Sequence, residues 1–112
     1  MAKRPEIQSY EDFWPYYVSE HRDPTCRKLH FIGTSLVMGM ALNPLLWPAL
    51  PLAGYGFAWV GHFKFEKNRP ATFDYPLYSL RADFRMWRKI LLGKMPSELA
   101  KADELYPAQP AA

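Results

Sequence analysis

Hydrophobic and polar positions divide the chain into three stretches. From Leu29 to Phe63, 35 consecutive residues contain no Asp, Glu, Lys or Arg. The stretches on either side are charged and rich in aromatic residues. The uncharged run cannot be one helix, because its centre holds Pro44, Pro48 and Pro51. Each proline lacks an N–H and clashes with the preceding turn. The pattern predicts two helices, roughly residues 25–42 and 52–67, joined by a proline-rich turn. Each arm is about 24 to 27 Å long at 1.5 Å per residue. A full bilayer crossing needs about 20 apolar residues, with about 17 as the lower limit. The expected fold is therefore all-α: a membrane-embedded or membrane-associated helical hairpin, thinly spanning or re-entrant.

The flanks predict two more helices. Ser9 precedes Tyr10, Glu11 and Asp12, an N-cap with an acidic residue three positions on. Phe13, Trp14, Tyr16 and Tyr17 follow, making an N-terminal aromatic helix. These rings suit either a membrane interface or packing against the hairpin. Downstream, Leu77, Leu80, Phe84, Trp87 and Leu91 recur at spacings of three and four, so they share one helix face. Arg81, Arg85, Arg88 and Lys89 lie elsewhere around it. This is a basic amphipathic helix, suited to a bilayer surface or to capping the hairpin. Gly93 and Pro96 read as its stop signal. Residues 1–96 are expected to form one helical domain, and 97–112 a disordered tail.

Charge adds orientation. Arg22, Arg27 and Lys28 precede the run, and Lys64, Lys67 and Arg69 follow it. Both hairpin ends then face the cytoplasm under the positive-inside rule, with both termini cytoplasmic. The N-terminal stretch lacks the apolar segment of a secretory signal. A net charge of +3 is too mild to imply nucleic acid. The single cysteine, Cys26, excludes an internal disulfide and a cysteine-built zinc site. A homo-oligomer remains open.

Candidate chemistry comes from the three histidines. His30 opens the first arm and His62 closes the second, and their midpoint is residue 46, inside the turn. An antiparallel hairpin sets both at one height near the charged end. His21 lies nine residues before His30, with Pro24 permitting a bend back. Glu66 stands four residues after His62, one helical turn on. Imidazoles with a carboxylate are the ingredients of a non-haem iron site, and zinc accepts similar ligands. Asp23 is a further candidate ligand. Asp83 and Glu20 are further candidates, with pairing to nearby arginines the favoured reading. Lys67 and Arg69 could hold a substrate carboxylate, or could be ordinary membrane-flanking charges.

The pattern Tyr17-x3-His21-x8-His30-Phe31-Ile32-Gly33, then Gly54-Tyr55, then Gly61-His62-x3-Glu66-Lys67-Asn68-Arg69-Pro70-Ala71, resembles a family of small membrane proteins. That family was long catalogued as a domain of unknown function and includes the yeast 2-hydroxy fatty acid dioxygenase. The resemblance runs from Tyr10 to Leu92 and looks like that of a short bacterial member, which implies a bacterial inner membrane as its setting. It implies an Fe(2+)-dependent dioxygenase that shortens a 2-hydroxy fatty acid, or a related lipid, by one carbon with molecular oxygen. It implies His21, His30 and His62 as iron ligands, with Glu66 as the catalytic carboxylate of the motif. The competing expectation is a non-catalytic membrane hairpin that scaffolds lipids or partner proteins.

Overall fold

A computed structural model describes residues 7–107. Helix α1 spans Tyr10–Ser19, and the Ser9 hydroxyl accepts from the Asp12 backbone N–H, as its cap pattern predicts. Helix α2 spans Pro24–Met40. Asp23 caps it by accepting from the N–H groups of Thr25 and Cys26, and Pro24 occupies the first turn, where no donor is lost. Asn43 then caps a 3-10 turn, Pro44–Ala49, which reverses the chain. Helix α3 spans Leu50–Val60 and continues into a π-helical turn, Gly61–Glu66. That turn ends at Lys67, which adopts a left-handed conformation with φ 60°. A short 3-10 turn, Ala71–Phe73, leads to α4, Pro76–Leu91, and α5, Met95–Leu105.

The expected hairpin forms, with α2 packed along α3. Gly33 makes the close approach possible. A Cβ there would stand 3.1 Å from both the Ala53 carbonyl oxygen and Phe57 Cβ. Helix α4 docks on α2 through Trp87, which stacks on Phe31 at 5.8 Å and donates its indole N–H to Ser35 Oγ at 2.9 Å.

The main core lies beside the charged end of the hairpin, where α1, α4 and α5 meet. Phe13, Trp14, Tyr17 and Val18 of α1 pack against Ala82 and Met86 of α4 and against Met95 and Ala102 of the α5 segment. The aromatic positions of α1 are thus core residues. Trp14 satisfies its indole N–H by donating to Glu98 Oε2 at 3.1 Å, and Glu98 also pairs with Lys89 at 3.2 Å.

Three expectations need correction. Among the described residues no helix is long and apolar enough to cross a membrane. Helix α3 has only 11 residues, and the polar first turns of α2 belong to the buried end of the hairpin. Second, of the two readings of the Leu77–Leu91 stripe of α4, capping of the hairpin holds only for Trp87: Leu77, Leu80, Phe84 and Leu91 are exposed, while Ser79, Ala82 and Met86 face inward. Small side chains permit the tighter docking there. Third, residues 97–105 are helical rather than tail. Pro96 starts α5 instead of ending α4, and Glu98 and Ala102 hold the new helix on the core. Residues 108–112 of the expected tail lie outside the described residues.

Candidate metal centre

Three separate elements deliver the histidines to one point. His21 sits on the turn after α1, where its N–H reaches the Val18 carbonyl at 3.0 Å. Arg27 fastens that turn by donating to the carbonyls of His21 and Arg22 at 2.8 and 2.7 Å. His30 comes from the second turn of α2, and His62 from the π-helical turn. All three are buried. Their ring centroids are 4.5 Å (His21–His30), 4.5 Å (His21–His62) and 4.8 Å (His30–His62) apart, with rings nearly perpendicular.

Hydrogen bonds fix which nitrogen of each ring carries the proton. His21 Nδ1 meets the Tyr17 carbonyl at 2.6 Å, and His30 Nδ1 meets the Cys26 carbonyl at 2.8 Å. A carbonyl only accepts, so both Nδ1 atoms donate. His62 Nδ1 meets Asn68 Oδ1 at 2.6 Å. The Asn68 amide nitrogen donates to the Glu20 carbonyl and carboxylate at 3.0 and 3.2 Å, which leaves its oxygen to accept from His62. Every ring therefore holds its proton on Nδ1 and keeps an Nε2 lone pair free. His21 Nε2 and His30 Nε2 stand 3.2 Å apart. Two lone pairs at that distance repel unless a cation lies between them.

A proton is a poor candidate for that cation. Burial, then the neighbouring His30 and His62, hold His21 well below the usual imidazole range. Burial and His62 lower His30 to about 3. Burial also lowers His62, against the opposing bond to Asn68. A metal ion fits. Two ligands at about 2.0 to 2.1 Å from a metal, at tetrahedral or octahedral angles, stand about 2.8 to 3.4 Å apart. The outward N–H bonds to carbonyl oxygens are the usual way a protein orients ligating histidines.

Cys26 joins the donor group, its sulfur within 4.8 Å of the histidine nitrogens. Nothing in the sequence pattern points to it, since a lone cysteine carries no spacing signal. Its Sγ lies 3.6 Å from His30 Nδ1, the protonated edge of that ring. Burial, then the charges of Glu66 and Asp23, push its thiol well up. A bound metal would displace the thiol proton, so Cys26 belongs with the three histidines in the group that could hold an ion. It also sets the helix spacing, because a Cβ on Gly61 would fall 2.9 Å from its sulfur.

The other expected site residues are placed differently. Glu66 is outside the donor group. Its carboxylate accepts from the Asp23 backbone N–H, joining the end of the π-turn to the start of α2. The i+4 argument fails because a π-turn closes i→i+5 bonds and shifts the face. Asp23 is spent on capping α2. Lys67 is exposed. Arg69, also exposed, lies over the Phe73 ring and 3.7 Å from Asp74.

The carboxylate that does face the histidines is Asp83. A small cavity of about 10 Å³ is lined by the three histidines together with Tyr17, Ser79, Asp83 and the Pro70–Thr72 segment, and Trp59 sits at its rim. The Tyr17 hydroxyl donates to Asp83. Burial raises the Asp83 carboxyl to about 7, with the Tyr17 bond opposing the shift. Burial, then the Asp83 charge, push the Tyr17 phenol well above its ordinary range. Sequence spacing ranks Asp83 as a site candidate below pairing with an arginine, because it gives a residue's place around its helix and not the direction in which the helix docks. Tyr17 also stacks on His21 at 4.1 Å, so the aromatic helix forms one wall of the site.

No curated protein and no solved structure matches the chain. One family does, over residues 7–95, which include all three histidines, Cys26, Ser79 and Asp83. The chain belongs to the family described as 2-hydroxy-palmitic acid dioxygenase Mpo1-like.

Proposed function

We propose that the protein is an Fe(II)-dependent dioxygenase that acts on 2-hydroxy fatty acids, or a related lipid, at a membrane surface and shortens the chain by one carbon. The observation that carries this reading is the buried donor cluster: three Nδ1 atoms held by carbonyl and amide oxygens, with ligand atoms of the three rings within 4.8 Å of one another. Such a set suits zinc and iron alike. Zinc has no redox chemistry, and the family description names a dioxygenase, so iron is the metal proposed. Bound there by His21, His30 and His62, it would supply the redox chemistry for molecular oxygen.

The protein's own groups set the conditions. The buried rings stay neutral and ready to ligate. Tyr17 holds His21 by its carbonyl and by ring stacking, and Asp83 holds the Tyr17 hydroxyl. The exposed apolar residues of the hairpin, among them Leu42, Leu45, Trp47 and Leu52, form the proposed lipid-facing surface. Contiguous apolar surface of that kind marks an interaction site. Lys67 and Arg69, exposed near the cavity, are proposed to meet anionic head groups.

The test is anaerobic purification with Fe(II), metal analysis, then addition of 2-hydroxypalmitate and oxygen. One equivalent of iron and formation of the acid one carbon shorter are expected. Exchange of His30 for Gln should abolish both. A folded wild-type protein that takes up no metal overturns the reading. A non-catalytic hairpin is favoured by the exposed tip alone, and it predicts that His30→Gln leaves cellular function intact.

A further inference from the structure

Among the described residues, Ser79 is the one residue of the cavity wall with a buried, unpaired side-chain hydroxyl. Its residue is 2% exposed, and its hydroxyl has no hydrogen-bond partner. A serine inside a helix ordinarily bonds back to the carbonyl four residues earlier. Here that carbonyl, of Tyr75, accepts only the Ser79 backbone N–H at 2.8 Å. A buried hydroxyl left unpaired costs about 1 to 3 kcal/mol, so its retention calls for an explanation. The other unpaired buried hydroxyl among the described residues, that of Tyr10, lies in the aromatic core beneath Arg81 and does not line the cavity.

Position supplies the explanation. Ser79 and Asp83 are one turn apart on α4, so they share the face turned to the histidines. Asp83 already takes the Tyr17 hydroxyl. The Ser79 hydroxyl can both donate and accept, which matches a second hydroxyl. The cavity, at about 10 Å³, admits a group of water size and not an acyl chain. The remainder of a ligand must stay at the rim, where Trp59 and Thr72 reach the surface.

We propose that Ser79 is a specificity-determining residue that hydrogen-bonds the hydroxyl on the carbon next to the substrate's carboxyl group. The inference rests on the dioxygenase reading and assigns its substrate selection to α4. A buried polar group aimed at a substrate hydroxyl discriminates strongly against the analogue that lacks it, because that analogue leaves the group unpaired. Selection of 2-hydroxy acids over unsubstituted acids then follows from one side chain opposite the histidines.

Binding without turnover tests this. The full chain, loaded with Fe(II) under anaerobic conditions in detergent, is titrated with 2-hydroxypalmitate and with palmitate. Wild type should prefer the hydroxy acid by about tenfold or more. Ser79→Ala should lose that preference while keeping its iron content and its palmitate affinity. Ser79→Thr, which keeps the hydroxyl, should restore the preference. Ser79→Ala retaining the wild-type preference overturns the proposal, as does an iron-loaded wild type that binds both acids equally. Absence of iron from the folded wild type overturns the dioxygenase reading instead, so the two failures are distinct.

Discussion

The two ends of the molecule use apolar residues in opposite ways. At one end, Phe13 and Val18 are fully buried where α1, α4 and α5 meet. At the other, Leu42 and Leu45 of the hairpin tip are 87% and 86% exposed. The tip is nevertheless ordered within itself. Asn43 caps the 3-10 turn, and Trp47 donates its indole N–H to the Ala41 carbonyl at 3.0 Å. Polar groups are satisfied locally while apolar side chains face out. That combination suits an apolar medium, which penalises unpaired backbone groups and not exposed leucines. The buried end holds the fold and the outer end supplies a surface, and the histidines lie on the seam between them.

This division predicts that the two ends fail differently. The largest effect should come from Leu42→Ser, Leu45→Ser, Trp47→Ser and Leu52→Ser combined. Burying each such side chain is worth about 1.5 to 3 kcal/mol, so the set removes about 6 kcal/mol or more from the proposed membrane contact. Co-sedimentation with phospholipid vesicles should be abolished, while iron content and melting temperature stay near wild type. A lowered melting temperature with intact vesicle binding would show the tip to be part of the folding core. The converse substitution is Phe13→Ala. Removing a fully buried ring costs about 3 to 5 kcal/mol, to be read by denaturant unfolding, and the remaining folded fraction should still sediment with vesicles.

Much of this arrangement is legible in the sequence, and the illegible parts share a cause. The reversal near residue 46 and the convergence of His30 with His62 follow from counting along two arms, because an antiparallel hairpin preserves height. The cap at Ser9 follows from local chemistry. What counting does not give is direction. The period of the Leu77–Leu91 stripe fits a face turned to a core or one turned outward, and only the docked helix, with Ser79, Ala82 and Met86 inward, decides between them. The expected role of Glu66 rests on α-helical spacing, in a segment that winds as a π-turn. Asp83 and Ser79 reach the cavity only because α4 docks on its small-residue face, a packing outcome that no single-helix pattern encodes. Pro96 is compatible with the end of one helix and with the first turn of the next, and only the contacts of Glu98 and Ala102 decide between them.

Two glycines sharpen the contrast between seam and tip, with a smaller effect of opposite sign. Alanine is favoured over glycine inside a helix by about 0.5 to 1 kcal/mol, because glycine loses more backbone freedom on folding. At Gly39, near the outer end of α2, a Cβ meets nothing within 4 Å. Gly39→Ala should therefore stabilise the protein by about that amount. At Gly61 the same methyl would fall 2.9 Å from Cys26 Sγ, 3.2 Å from its Cα and 3.4 Å from its carbonyl oxygen. Overpacking of this kind costs about 1 to 3 kcal/mol, so Gly61→Ala should destabilise. Adding Cys26→Ala removes the sulfur and should restore only part of the loss, since the methyl still crowds the backbone of residue 26. Denaturant unfolding of the metal-free protein measures all three variants without a contribution from any bound metal. Equal stabilisation by both glycine substitutions would mean that α2 and the π-turn do not touch, and the geometry that seats His62 beside His30 would fall with that packing.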